Sequence, residues 1–220
     1  MRPEGALEVV AGGERLWLLP QRAAYWPRMK TLLVADAHLG KAAAFRSAGI
    51  PVPSGTTADN LDRLSALVHL LDAKRIAFIG DLVHDAAAQR AAANAFARWR
   101  AAHGAIDMLL VRGNHDRRAG DPPCGWNLEC VDEPHTMEGI ALVHVPQRVP
   151  GHYAIAGHVH PAVQLAGRGR ELLRLPCFHF TADCATLPAF GAFTGMADVT
   201  LSEGDRVYVA AESRVVAVEF

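Results

Sequence analysis

Residues 106–116 read Ile-Asp-Met-Leu-Leu-Val-Arg-Gly-Asn-His-Asp. The apolar run over 106–111 has the length and composition of a short buried strand. Gly113-Asn114 at its end marks an abrupt turn. Open α/β folds bind ligands at the carboxyl edge of the sheet, and this turn leaves an amide oxygen and an imidazole there. Alone, the tetrapeptide is weak, because loops use Gly and Asn for conformational reasons. The pattern recurs, however. Asp36-Ala37-His38 follows the apolar run 31–35, and Gly80-Asp81 follows 75–79. His144 closes 140–143, and Gly157-His158-Val159-His160 follows 153–156. Five strand-like runs end in Asp, Asn or His, and such side chains coincide if the strands lie side by side.

The chain has 220 residues, suiting one domain, and 50% of them are hydrophobic, enough for a sizeable core. Formal charge is −1, which excludes a polybasic nucleic-acid arm or membrane patch. A polyanionic substrate must therefore be held locally by a site. The four cysteines, Cys124, Cys130, Cys177 and Cys184, contain no Cys-x-x-Cys pair and no zinc-ribbon spacing. They are expected to be buried or half-buried thiols. No basic region followed by an apolar stretch opens the chain, and no run approaches the ~18 apolar residues of a membrane span. The expectation is a soluble, cytoplasmic protein.

Leu7, Val9, Leu16 and Leu18 alternate around Gly12-Gly13, a hairpin signal, and 20–27 reads as a connector. Pro51, Pro53 and Gly55 mark a loop after 36–41. Residues 56–59 resemble a capping box before Leu61, Leu64, Val68 and Leu71 at helical spacing. The Ala-rich stretch from about 86 to 102 predicts a second helix with Phe96 and Trp99 on one face and Gly104 as its stop. This strand–helix–strand–helix–strand order predicts a largely parallel α/β sheet. After residue 125 the runs 126–131, 140–145, 153–156, 171–175, 206–210 and 214–219 are short, broken by Gly and Pro, and mainly β. Two sheets packed face to face with helices outside accommodate both halves in one domain spanning 1–220.

Collected, Asp36, His38, Asp81, Asn114, His144, His158 and His160 form a mixed nitrogen and oxygen set. That chemistry suits Mn²⁺, Fe or Zn²⁺ better than Ca²⁺ or a thiolate site. Seven ligands exceed one ion and fit two, if one carboxylate bridges. Two metals about 3.5–4 Å apart clamp the attacking and leaving oxygens of an in-line displacement. Asp36 and His38, like His158 and His160, would share one face of an extended segment, since alternate residues point the same way.

In order, Asp36-x-His38, Gly80-Asp81, Gly113-Asn114-His115-Asp116, His144 and Gly157-His158-x-His160 resemble the motif set of the calcineurin-like metallophosphoesterases. The resemblance implies an α/β, four-layer sandwich: two mixed β-sheets packed face to face and flanked by α-helices. It also implies one metal on Asp36, His38, Asp81 and His160, and another on Asp81, Asn114, His144 and His158. Asp81 and a hydroxide that attacks phosphorus would bridge them. The stretches 36–41, 112–116, 157–161, 175–178 and 187–195 are similar to the bacterial ligase-associated DNA damage response endonucleases. That subfamily implies a Mn²⁺-dependent single-stranded DNA endonuclease working beside an ATP-dependent DNA ligase and a helicase in DNA repair. By the same resemblance, His115 contacts the scissile phosphate and protonates the leaving oxygen, with His84 orienting phosphate or pairing with that acid. Asp85 and Asp116 would orient these rings, a usual role for a carboxylate beside an imidazole.

His69 reads as solvated and His103 as a partner of a helix C-terminus; His135, His152 and His179 carry no assignable role. Lys41, Arg46, Arg112, Arg117, Arg118 and Arg148 lie near the motifs. A loop cation is commonly just solvated, but Arg112, Lys41 and Arg117 are the candidates to grip a DNA backbone. Trp126 and Phe178 suit core packing better than base stacking. An oxygen-activating iron enzyme is disfavoured, because such sites use three ligands and leave positions open. No Gly-x-Ser-x-Gly elbow, phosphate-cradling loop or dinucleotide fingerprint occurs. Two alternatives stay open: a small-molecule phosphoesterase acting on a nucleotide-linked substrate, and a non-catalytic, metal-bound partner of a ligase or helicase. No membrane contact is expected. A homodimer through the C-terminal half is open, though no exposed apolar stripe is legible.

Overall fold

Gly12-Gly13 turns β1 (Leu7–Ala11) back on β2 (Glu14–Leu19), pairing Ala11 with Glu14 as the hairpin signal predicts. In this computed structural model, which describes residues 1–52, 54–166 and 172–219, β3 (Ala23–Trp26) and β4 (Thr31–Ala35) extend that sheet antiparallel. The stretch expected as a connector thus contains a strand. All four residues of β3 are buried, so no in–out alternation betrays it.

From β4 the chain turns parallel. Helix α1 (Lys41–Ser47), absent from the sequence reading, and α2 (Thr56–Leu71) lead to β5 (Arg75–Ile79); α3 (Ala86–Ala102) leads to β6 (Asp107–Val111). Short α4 (Asn114–Ala119) and a 3-10 turn at Cys124–Trp126 precede β7 (Glu129–Val131). Helix α2 buries Leu61, Leu64, Val68 and Leu71 as predicted. The capping box at 56–59 does not form: Gly55 caps the helix without a side-chain bond, and Thr57 Oγ1 accepts from the Gly40 amide (3.1 Å). Helix α3 ends at Ala102 with His103 as its cap, one residue before the glycine expected to stop it; the ring's Nδ1 lies 2.8 Å from the Trp99 carbonyl.

The second half supplies β8 (His135–Met137), β9 (Ile140–Leu142), β10 (Tyr153–Ala156), β11 (Pro161–Ala166), β12 (Leu172–Phe180), β13 (Cys184–Thr186), β14 (Ala197–Asp198), β15 (Arg206–Ala210) and β16 (Val215–Val218). Their order is β14-β11-β12-β13-β10-β9-β8, with β15 and β16 branching from β12. Residue 171, where one strand was expected to begin, lies outside the described residues.

These are two mixed β-sheets packed face to face with flanking helices, an α/β fold. Leu33, Ala35, Ala77, Ile79, Leu109 and Val111 of the first sheet meet Ile140, Leu142, Ile155, Phe178, Phe180 and Ala185 of the second in one core. The alternate residues Leu32, Val34, Ile76, Phe78 and Leu110 face α2 and α3, with Trp126 stacked on Phe96 (4.1 Å). Trp126 and Phe178 are core residues, as expected. All four α-helices described lie between residues 41 and 119. The outer face of the second sheet carries two smaller clusters, around Ala154 and around Val207. Cys177 and Cys184 are buried and Cys130 partly so, but Cys124, expected to be at least half-buried, is exposed on its 3-10 turn. No helix among the described residues is long and apolar enough to cross a membrane.

Candidate metal centre

Parallel register sets the site. Ala35, Ile79 and Val111 stand side by side, so the residues after β4, β5 and β6 emerge at one edge. The loops after β4 and β5 then zip together: the amides of Asp36, His38 and Leu39 donate to the carbonyls of Gly80, Asp81 and Leu82 (3.2, 2.9 and 2.8 Å). In the facing sheet β9 and β10 are likewise parallel, and the Gly157 amide donates to the His144 carbonyl (3.1 Å). The two edges abut. A side chain on Gly113 would collide with Asp81, and one on Gly80 with the His144 ring, so these glycines are required by close approach.

The expected ligands gather into two groups. Asp36, His38 and His160 form one, and Asp81, His144 and His158 the other. In the first, the Nε2 atoms of His38 and His160 lie 3.4 Å apart, and His160 Nε2 is 3.6 Å from Asp36 Oδ1. In the second, His144 Nε2 is 3.0 Å from Asn114 Oδ1, 3.1 Å from His158 Nδ1 and 3.4 Å from Asp81 Oδ1. Asp81 also faces the first group, its Oδ2 lying 4.0 Å from His38 Nε2. Ligand atoms about 2.0–2.2 Å from one ion are about 3–3.5 Å from each other, the spacing found here.

Asp36 and His144 are fully buried, Asp81 is 2% exposed and His38 5%. Asp36 Oδ1 has no hydrogen-bond partner, while Oδ2 accepts from the His158 amide (2.8 Å). A buried carboxylate oxygen without a donor is costly unless a cation meets it. Burial pushes the Asp81 carboxyl up to about 8, and the neighbouring Asp36 adds to the rise, opposed by the His115 amide. Burial pushes His38 down to about 2 and lowers His144, leaving both rings neutral with free lone pairs. His160 Nδ1 lies 3.0 Å from the Gly195 carbonyl, a contact made by a protonated Nδ1, which leaves Nε2 free to coordinate. The donor set therefore fits two divalent transition metals.

The convergence has a different cause from the one read in the sequence. Asp36, His38, Asp81, His158 and His160 all adopt left-handed φ, between 44° and 69°. An extended Asp-x-His would put its side chains on one face; here the backbone coils and each side chain is turned inward separately. Non-glycine residues in this region are strained and persist only where surroundings enforce them. Asn114 is likewise the first residue of α4 and not a turn residue.

Beside the ligands, His115 donates its amide to Asp81 Oδ1 (2.9 Å), and its Nδ1 contacts the His84 carbonyl (2.6 Å). Its Nε2 faces Asp81 Oδ2 at 3.9 Å. The His84 ring stacks on His115 (centroids 4.3 Å apart) and is pushed down to about 4 by burial first and then by His115. Asp85 and Asp116 do not orient these rings as expected. Asp85 caps α3 through the Ala88 amide (2.7 Å), while Asp116 accepts from the amides of Gly113 (2.9 Å) and Val83 (3.2 Å). Both shape backbone, because donor amides lie nearer to each carboxylate than any ring.

Of the expected phosphate grips, Lys41 lies near the centre: half-buried, with Asp81 and Asp36 acting on its charge. Arg112 is instead paired with Asp121 (2.7 Å) and Asp132 (3.5 Å), and Arg117 with Asp132 (3.6 Å) and Glu133 (3.5 Å). Away from the ligands, His179 pairs with Asp205 (2.8 Å), His152 contacts the Pro150 carbonyl, and His69 is exposed.

Two supporting residues escaped the sequence reading. Glu133 accepts from the amides of His144 (2.6 Å) and Val145 (3.1 Å), holding that loop; nothing in its context marks it. Buried Asn60 donates to the Ala37 carbonyl (3.3 Å) and accepts from the Ala192 amide (3.2 Å) and Arg63. Its signal was a polar residue beside Leu61 on the apolar face of α2.

A family model described as calcineurin-like phosphoesterase matches residues 29–140. Among solved structures, the crystal structure of the Pseudomonas putida nuclease MPE matches with a TM-score of 0.85 and 41% identity, over 97% of this chain and 100% of that one. The E. coli phosphoesterase Yfce gives a TM-score of 0.43 and 13% identity over 86% of this chain and 97% of that one. No curated protein matches.

Proposed function

This chain belongs to the calcineurin-like phosphoesterases and is a metal-dependent phosphoesterase, and from that premise we propose that it is a nuclease hydrolysing the DNA backbone. The preferred substrate is single-stranded DNA cut internally, with Mn²⁺ as the physiological metal, in the cytoplasm during DNA repair. An ATP-dependent DNA ligase and a helicase are the proposed functional partners. The 41% identity to the Pseudomonas putida nuclease over the whole length supports the nucleic-acid reading.

The observation that carries the chemistry is the Asp81 carboxylate, whose two oxygens each face a separate group of histidines. Asp36, His38, Asp81 and His160 would hold one cation and Asp81, Asn114, His144 and His158 the other. When bound, two such ions supply an acidified water and offset the charge growing on phosphorus. The remaining steps belong to the chain. His115 presents Nε2 toward the centre because Nδ1 is tied to the His84 carbonyl. Doubly protonated, it delivers a proton to the leaving oxygen. The His84 ring, kept neutral by burial, fixes the plane of His115 by stacking. Lys41 offers its ammonium to a phosphate oxygen.

The test is a metal-titrated cleavage assay on circular single-stranded DNA beside bis-p-nitrophenyl phosphate. Linearisation of the circle with Mn²⁺ is the expected result. Turnover of the ester alone favours a nucleotide-linked small substrate, and no hydrolysis with any divalent metal favours a non-catalytic partner protein.

A further inference from the structure

Seven phenylalanines are described, and five of them (Phe78, Phe96, Phe178, Phe180 and Phe190) belong to apolar core clusters. Phe45 and Phe193 belong to none. Each is half-buried and the two rings meet edge to face, with centroids 5.7 Å apart. Phe45 comes from α1, one helical turn after Lys41, and Phe193 from the segment following β13. That segment is pinned beside the metal centre, since the Phe190 and Gly191 amides donate to the carbonyls of Ala35 and Asp36 (2.8 and 3.0 Å).

The rings extend a series of ring contacts that begins in the site. His115 lies 4.3 Å from His84, His84 5.8 Å from Phe45, and Phe45 5.7 Å from Phe193. This aromatic wall starts at His115, whose amide meets the Asp81 carboxylate, and runs through His84 to Phe45 and Phe193. Lys41 Nζ stands 6.0 Å from the Phe45 centroid, so a cation for a phosphate and a face for a base sit together. Large apolar rings left half-exposed at such a place are available to a flat partner.

We propose that Phe45 and Phe193 form a ledge that binds the unpaired nucleobase next to the scissile phosphate and so selects single strands over duplex. The proposal rests on the nuclease reading and names the part of the substrate which that reading leaves open. A base inside a duplex is already stacked on both faces and paired on its edge, so it cannot lie on the ledge. A base in a flexible single strand can, and stacking on an aromatic side chain is largely indifferent to sequence.

The experiment steps one abasic residue along a single-stranded oligonucleotide and measures cleavage at a fixed bond in the Mn²⁺-loaded protein. In the wild type, one position flanking that bond is expected to slow cleavage about tenfold. Phe193→Leu and Phe45→Leu keep apolar bulk but remove the ring; they should cut the intact strand about tenfold more slowly and reduce the abasic penalty to within about twofold. Phe193→Trp should keep the penalty. Binding is read independently, by quenching of 2-aminopurine at that position on mixing. An undiminished penalty in both leucine variants, or no penalty at any position, overturns the ledge and leaves the nuclease reading standing. Quenching lost in the leucine variants, without cleavage by the wild type, supports the ledge and overturns the nuclease reading.

Discussion

Asp36, Asp81, His38 and His144 are almost wholly removed from solvent, whereas His84, His115, Lys41, Phe45 and Phe193 beside them are half-exposed. The inner set is held by backbone: left-handed φ at Asp36, His38 and Asp81, glycines that permit close approach, and amides aimed at carboxylates. The outer set is held mainly by ring contacts. The inner set thus resembles a rigid socket that is electrostatically costly without cations. The outer set is the part free to choose what the cations act on. Chemistry and selectivity should therefore be separable by mutation.

The largest expected effect is at the carboxylate shared by both groups. Asp81→Ala should lower kcat/KM on the order of 10³-fold or more with the fold retained, since both sites lose a ligand. Mn²⁺-dependent turnover close to wild type would break the distinction at its root. His115→Ala, at the boundary between the sets, should lower kcat by about 10² to 10⁴ while changing KM little. A change confined to KM would make His115 a binding residue with no part in proton transfer.

A smaller effect follows from burial of the inner carboxyls. Asp81 titrates near 8 in the folded chain against 3.8 ordinarily, and Asp116 near 6. Between about pH 6.5 and 8 the lowered His38, His84 and His144 are mostly neutral, folded or unfolded, while Asp81 keeps a proton that the unfolded chain has lost. Stability therefore falls as pH rises through that window. Between about pH 4 and 6.5 those histidines pull the other way. The Asp81 cost is absent below its ordinary value and complete above the folded one. Chelated protein should lose Tm between about pH 6.5 and 8, and Mn²⁺ should flatten the slope by holding Asp81 charged. Parallel Tm curves with and without Mn²⁺ would contradict this. Smallest of all is Arg112→Ala: with its charge matched by Asp121 and Asp132, KM for DNA should change less than about twofold.

The socket was far more legible in the sequence than the rim. Strand-end Asp, Asn and His residues announce themselves because a short apolar run followed by a metal-ligating residue is a local pattern. All seven expected ligands meet where the edges of the two sheets abut. The backbone that aims them was not legible, because left-handed φ at Asp36 or His158 is enforced by loops distant in sequence. Regular segments fared well where periodicity exists, as in α2 and α3. They failed at β3, buried on both faces, and at α1, whose Lys-Ala-Ala-Ala-Phe lacks an apolar stripe. Trp126 and Phe178 drew attention as aromatics, yet the rings left available are Phe45 and Phe193. Which phenylalanine the core leaves out is decided by tertiary packing and has no local signature.

The most direct measurement is anomalous diffraction from crystals grown with Mn²⁺. Two peaks are expected, one on each side of the Asp81 carboxylate, the first touching His38 and His160 and the second Asn114, His144 and His158. A single peak, or none within reach of Asp81, would contradict the two-metal centre.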